Sequence, residues 1–492
     1  MIRMGRKMNS KQSNGVLSNL SWKFMERISA QLVTTVVSII LARILTPSDY
    51  GIISIVSIFI TIANVFVSDG VGSSLVQKKN ADSLDYTTLL LFNIGLSVFL
   101  YSLIYVSAPF LAEFYGEGYD IVTPVLRVLA LRIILTGVSS IQNAYISKHL
   151  MFKKYFWSTV IGTIVSAIVG ITMAYRGYGV WALVFQYLVN SIIGMIVLVF
   201  VIGKYPKIRF SYKRLKGLLG FGVKVLGTNL IGSLFNQLRG LIIGKVYTSS
   251  DLAYFDKGQQ FPSLIVTNIN TSITAVMFPR MALLQDNREN VKLIMKKSLR
   301  FSSFVLSPVL WGFAAVAPQF VSIILTDKWL PCVPILQLLC IYYLFWPIHS
   351  LNMQVMKALG EGNKYLGIEI VKKVFDISIL LATFKHGVIA ITIGMVISSF
   401  LSVVINAWPN KKLITYSVKE QLKDIMPNIM NSIIMAFVVY AVGLLHCNKI
   451  VLLIMQVIIG VIIYLFLSIV TKREEYKTIV YTIKSKVTIE KN

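Results

Sequence analysis

Glu369, Lys372, Lys373 and Asp376 recur at i, i+3, i+4 and i+7 inside an otherwise apolar run, a spacing that puts all four on one face of a helix. Such a face can be an intrahelical ladder of ion pairs. It can equally offer cations to an anionic ligand and a carboxylate, Asp376 with Glu369 near it, to a coupling proton or sodium ion. Other ionisable groups interrupt further apolar runs: Glu26 and Arg27, Arg127 and Arg132, Lys224 and Arg239. Guanidinium groups grip oxyanions in a bidentate fork. Arg27, Arg132, Arg239, Lys372 and Lys373 are therefore the candidate anion-binding residues. Asp69 is a second ion-coupling candidate, though its place near a run's end also suits a local turn cap. Glu26 and Arg27 can pair with each other, and Lys224 can snorkel to an interface.

The elements that position these residues follow from composition. Over 492 residues, 55% are hydrophobic and only 14% charged, with a mean hydropathy of +0.71. A soluble chain of this length would precipitate, so the expected solvent is lipid. Apolar runs long enough to cross about 30 Å of hydrocarbon as helices fall at 22–44, 51–74, 87–111, 121–143, 155–175, 178–202, 220–245, 257–280, 298–325, 333–358, 364–385, 387–408, 425–445 and 450–471. The reading is an all-α integral membrane protein of about fourteen transmembrane helices, with no room for a separate soluble domain. Pro262, Pro308 and Pro347 fall inside spans eight, nine and ten, where proline bends helices.

A net charge of +27 in a soluble protein would suggest nucleic acid. Here the cations sit in alternate connections: Lys78 and Lys79; Lys148, Lys153 and Lys154; Lys204 to Lys216; Arg288 to Lys297; Lys411 to Lys423. By the positive-inside rule these connections and both termini face the cytoplasm, and no nucleic-acid partner is expected. The first apolar run lacks a cleavage pattern, so it is expected to remain as a span. Cys332, Cys340 and Cys447 have neither disulfide nor metal spacing. No metal, cofactor or catalytic residue is expected. There is no Ser-His-Asp constellation, and the four histidines, His149, His349, His386 and His446, are scattered. The tryptophans near span ends suit interfacial anchoring more often than sugar stacking, with sugar contact weighted higher at Trp346, whose span Pro347 interrupts.

Thr46-Pro47-Ser48-Asp49 resembles Thr248-Ser249-Ser250-Asp251, 202 residues on. Gly179-Val180-Trp181-Ala182-Leu183 resembles Gly387-Val388-Ile389-Ala390-Ile391 at an offset of 208, and Lys154-Tyr155 matches Lys364-Tyr365 at 210. The near-constant offset spans six helices, so the two copies share one orientation and enclose a cleft between parallel lobes. The expected division is an N-terminal lobe at 1–215, a C-terminal lobe at 216–408, and two additional helices with a cytoplasmic tail at 409–492.

Ala42-Arg43-Ile44-Leu45-Thr46-Pro47-Ser48-Asp49-Tyr50-Gly51, Ser68-Asp69-Gly70-Val71-Gly72 and Phe152-Lys153-Lys154 carry a family likeness. So do Ile242-Ile243-Gly244-Lys245, Tyr254-Phe255-Asp256-Lys257-Gly258 and Phe278-Pro279-Arg280-Met281-Ala282-Leu283-Leu284-Gln285-Asp286. Over nearly its whole length the chain resembles the polysaccharide flippases of the MOP (multidrug, oligosaccharidyl-lipid, polysaccharide) superfamily, nearest the Wzx/WzxC type. The resemblance implies two lobes around a hydrophilic, often cationic cavity in a bacterial inner membrane. Its implied cargo is an undecaprenyl-diphosphate-linked oligosaccharide, moved to the outer leaflet for O-antigen, capsule or exopolysaccharide synthesis, with the polymerase and chain-length regulator of that pathway as possible partners. Arg239 departs from the acidic or polar residue that many relatives carry there. An ion-coupled multidrug antiporter of the same superfamily is the alternative, against which stands the basic character of the in-span charges. A membrane polysaccharide polymerase should show a sizeable external loop, and none is found here.

Overall fold

Thr46 and Asp49 explain where the second helix begins. The Thr46 hydroxyl accepts from the Asp49 amide at 3.2 Å, the Asp49 carboxylate accepts from the Thr46 amide at 3.0 Å, and Pro47 occupies the first turn, where its missing N–H costs nothing. The computed structural model describes residues 22, 25, 29–203, 209–478, 480 and 481, without the side chains of 69–71, 73, 221 and 224. Arg27 and Glu26, and the side chains of Asp69 and Lys224, lie outside the described residues.

Among the described residues the chain is helical, with no strand. The first helix, α1, is Ser29–Ile44. It is followed by α2 (Pro47–Gln77), α3 (Ser83–Tyr115), α4 (Val122–Leu129), α5 (Leu131–Lys148), α6 (Phe152–Tyr175), α7 (Val180–Ile202) and α8 (Tyr212–Val246). Next come α9 (Ser249–Leu283), α10 (Arg288–Ile324), a 3-10 segment (Asp327–Cys332), α11 (Val333–Leu344) and α12 (Trp346–Ala358). The last four are α13 (Gly362–Thr383), α14 (Val388–Leu413), α15 (Val418–Val442) and α16 (Lys449–Val470).

Among the described residues eleven helical stretches are long and apolar enough to cross a membrane, and α8, in two parts bent by 57°, makes a twelfth. The bend falls at Gly220 and Gly222, where the helix is weakest. Helix α13 is long enough, at 22 residues, but carries Lys364, Glu369, Lys372, Lys373 and Asp376, and the described part of α1 covers only Ser29–Ile44. The span expected at 333–358 is broken at Phe345, just before Pro347 at the start of α12. Pro262 and Pro308 lie within α9 and α10.

The chain divides into two compact units, Met1–Ala253 and Tyr254–Asn492. In the first unit α2 is central and packs on α8 and α5, while α6 pairs with α7. Leu75, Leu89, Ile141, Leu215 and Leu218 form a buried apolar cluster there. In the second, α10 packs on α15 and α11, α13 pairs with α14, and Phe304, Val316, Met435, Val439 and Tyr464 fill the interior.

The turns that agree in sequence agree in conformation. Thr248 and Asp251 build the same box as Thr46 and Asp49, with the Asp251 amide donating to the Thr248 hydroxyl at 3.1 Å and the Thr248 amide to the carboxylate at 3.1 Å. Gly179 and Gly387, each preceding a helix, both have positive φ, 53° and 102°. The two boxed turns also meet inside the first unit: the Ser48 and Ser249 hydroxyls lie 3.1 Å apart. Gly51 is required there, since a Cβ would sit 1.8 Å from the Ser249 carbonyl oxygen.

Candidate functional site

Helix α13 has few buried residues, so what its charged face meets decides its role. Lys372 Nζ lies 2.7 Å from Glu369 Oε1, with the side chains 20% and 31% exposed. One turn on, Asp376 Oδ1 accepts a 2.6 Å hydrogen bond from Ser398 of α14. The face expected from the i, i+3, i+4, i+7 spacing is thus partly an ion pair and partly a carboxylate bound to the neighbouring helix. Lys373 is half-buried beside them.

The next residue of α14, Ser399, leads inward. Its hydroxyl donates to the Tyr342 carbonyl at 3.0 Å and lies 3.1 Å from His349 Nε2, while Asn406 Nδ2 lies 3.0 Å from His349 Nδ1. With the amide N–H of Asn406 donating, Nδ1 accepts, and Nε2–H donates to the Ser399 hydroxyl, whose own hydrogen is directed to the Tyr342 carbonyl. A second buried set continues along the same helices. Asn352 donates to Gln421 at 2.7 Å and accepts from Asn410 at 2.6 Å, tying α12, α14 and α15 together. The in-span charges did not point to this seam. The available signal was the i, i+3 pair His349 and Asn352, and the i, i+4 pair Asn406 and Asn410, in otherwise apolar helices.

In the first unit Arg132 begins α5. Its Nε donates to Ser191 Oγ at 3.2 Å, and the guanidinium carbon lies 5.2 Å from the centre of the Tyr187 ring. Tyr187 and Ser191 are one turn apart on α7, so a single helix supplies both the aromatic face and the hydroxyl. Among the described residues the two terminal nitrogens of Arg132 have no hydrogen-bond partner, which leaves their donors for an anion. Arg127 is held in a similar way but against another helix, with Nε on the Tyr105 carbonyl of α3 at 3.2 Å and the charge 4.2 Å from the Tyr105 ring. Arg239 is half-buried on the stretch of α8 that packs along α2. Arg132 and Arg239 thus belong to the first unit, and Glu369, Lys372, Lys373 and Asp376 to the second.

The basic stretch before the seventh span also has a structural use. Residues 212–219 form the first turns of α8. Arg214 reaches Asp82 at 3.2 Å and Asp85 at 3.5 Å, and Lys78 meets the fully buried Asp85 carboxylate at 2.6 Å. Asp82, in the α2–α3 turn, is held below the usual carboxylate range first by the hydrogen bond from the Asp85 amide and then by the nearby Arg214 charge.

Residues 40–334, more than half the chain, match the family described as polysaccharide biosynthesis protein. The lipopolysaccharide biosynthesis protein WzxC of Escherichia coli K12 is 23% identical over 378 residues, 75% of each chain. Among solved structures, the lipid II flippase MurJ in its inward closed conformation superposes with a TM-score of 0.76 at 17% identity, covering 93% of this chain and 99% of that one. An inward-facing multidrug resistance MATE transporter of the MOP superfamily gives 0.62 at 16% identity, covering 82% and 99%. The chain is a multi-pass membrane protein that belongs to the polysaccharide biosynthesis protein family and has the fold of the MOP superfamily.

Proposed function

We propose that the protein is a flippase that carries an undecaprenyl-diphosphate-linked oligosaccharide from the cytoplasmic to the outer leaflet of a bacterial inner membrane, without catalysing a covalent step. The observation that carries this reading is the charged face of α13. A helix of spanning length with Glu369, Lys372, Lys373 and Asp376 on one side cannot turn that side to hydrocarbon, because a charged side chain at the bilayer centre costs about 2.5–3.5 kcal/mol or more. With Arg132 and Arg239 it supplies cations that suit a diphosphate. The WzxC relative acts in lipopolysaccharide biosynthesis by name, and the MurJ neighbour is by name a lipid II flippase.

In this reading α1 and α13 also cross the membrane, giving fourteen spans with both termini cytoplasmic. The chain then forms lobes at 1–215 and 216–408 with two added helices at 409–492. The matched turns at Thr46 and Thr248, and at Gly179 and Gly387, support a duplicated origin for the lobes, which alternate in exposing the cargo site. Arg132, Arg239, Lys372 and Lys373 bind the linker, with Arg27 assigned by sequence alone. Asp376, with Glu369 and Asp69 in support, takes the coupling ion. The polymerase and chain-length regulator are the expected functional neighbours.

The test is deletion in the native host with lipid-linked oligosaccharide assayed on each membrane face. Complete units should accumulate on the cytoplasmic face and be cleared by wild type but not by Arg239→Ala or Lys372→Ala. Unchanged sugar-lipid together with lost resistance to cationic compounds would replace this reading with a drug antiporter.

A further inference from the structure

A cavity of about 650 Å³ lies between the end of α9, the start of α10 and the short segment after α16, wholly inside the second unit. Part of its lining is apolar, with Val276 of α9 and Phe301 of α10 both more than a third exposed. Another part is charged, with Arg280, Lys296, Lys297, Arg300, Glu474 and Glu475.

Four of the charges in and beside this charged lining are already matched. Arg300 lies 2.7 Å from Asp424 and 3.0 Å from Glu474, and Lys296 lies 3.5 Å from Asp424. Two cations and two carboxylates therefore cancel. Arg280 and Lys297 are both exposed, and neither has a carboxylate partner among the described residues. Set against the remaining Glu475, they leave the charged lining one positive charge in excess. That excess matches one phosphodiester, whereas the further charge of a diphosphate would face Glu474 and Glu475.

We propose that this cavity binds a resident anionic glycerophospholipid, its phosphodiester between Arg280 and Lys297 and an acyl chain over Val276 and Phe301. The lipid bridges α9, α10 and the segment following α16, and so fixes that segment against the bundle. The inference concerns a bilayer lipid and does not depend on the cargo assigned above.

The test titrates the purified, delipidated full-length protein with phosphatidylglycerol, phosphatidylcholine, glycerol phosphate or a polyprenyl phosphate, following binding by native mass spectrometry and the thermal midpoint. Phosphatidylglycerol should bind and raise the midpoint, and phosphatidylcholine and glycerol phosphate should not. Each cation near a lipid phosphate contributes about fivefold in affinity, so R280Q/K297Q should bind phosphatidylglycerol roughly 25-fold more weakly. R280K/K297R should retain binding. Val276→Trp, which leaves the cations in place and fills the apolar part of the cavity, should lose it. Equal binding of phosphatidylcholine, an equal effect of glycerol phosphate, unchanged affinity in R280Q/K297Q, or preferential capture of the polyprenyl phosphate would each overturn the proposal.

Discussion

Gly51→Ala is a one-carbon change with a large expected effect. The added Cβ would lie 1.8 Å from the Ser249 carbonyl oxygen and 2.3 Å from its carbon. Carbon and oxygen settle no closer than about 3.2 Å, so the α9 start must retreat by more than an ångström, and it is backbone that must move. Forced overpacking costs about 3 kcal/mol at the upper end of its usual range. The retreat also breaks the 3.1 Å contact between Ser48 and Ser249, about 1 kcal/mol for a neutral hydrogen bond. Alanine's better helix propensity returns about 0.5–1 kcal/mol. The balance is roughly 3 kcal/mol against this arrangement, about a hundredfold in population. The control is Gly95→Ala in α3, where a new Cβ meets nothing within 4 Å and only the propensity gain of about 0.5–1 kcal/mol applies. Thermal unfolding of the two purified variants should move in opposite directions from wild type. If both rise together, the close packing of the two boxed turns is wrong.

Asp85→Ala removes the anion shared by Lys78 and Arg214. Loss of one partner of a buried pair costs about 3–5 kcal/mol, reduced here to about 2 because both cations keep contact with water, and the thermal midpoint should fall by several degrees. Asp82 has its pKa depressed on folding, so its stabilisation is complete above the usual aspartate value of 3.8 and disappears as pH falls through the lower folded value. The thermal midpoint of wild type should therefore drop more steeply below pH 4 than that of Asp82→Asn, and parallel curves would remove this group from the acid response. Arg132→Lys keeps the charge but loses the planar fork over Tyr187, so binding of a diphosphate lipid should weaken about tenfold without recovery by lysine. Asp376→Asn preserves an acceptor for Ser398 while removing the charge. Vesicle transport should then lose its dependence on an imposed ion gradient in a protein that still folds, and retained dependence would place coupling elsewhere.

Hydropathy is a local property, which is why most spans and the charged face of α13 could be read from the chain. The same holds for the boxed turns, whose Thr and Asp lie three residues apart. The start of α8 was less visible, because Tyr212 to Leu219 is basic and amphipathic and is stabilised by Asp82 and Asp85, about 130 residues earlier. The union of Asn352 with Gln421 and Asn410, and of Asp376 with Ser398, also depends on which helices pack together. Residue types could show that polar groups occur in those helices but not which would meet. Arg127 and Arg132 make the same point: five residues apart and alike in sequence, one meets a carbonyl and a ring of α3 while the other meets a hydroxyl and a ring of α7.

The most direct test of the transport claim is reconstitution of the purified protein in liposomes carrying a polyprenyl-diphosphate oligosaccharide in the inner leaflet. The quantity to follow is the appearance of sugar accessible to an externally added glycosidase. The account predicts that accessibility rises with time in wild-type vesicles and stays at the protein-free rate with Lys372→Ala. Wild-type vesicles no faster than protein-free ones, under every ion gradient imposed, would contradict it.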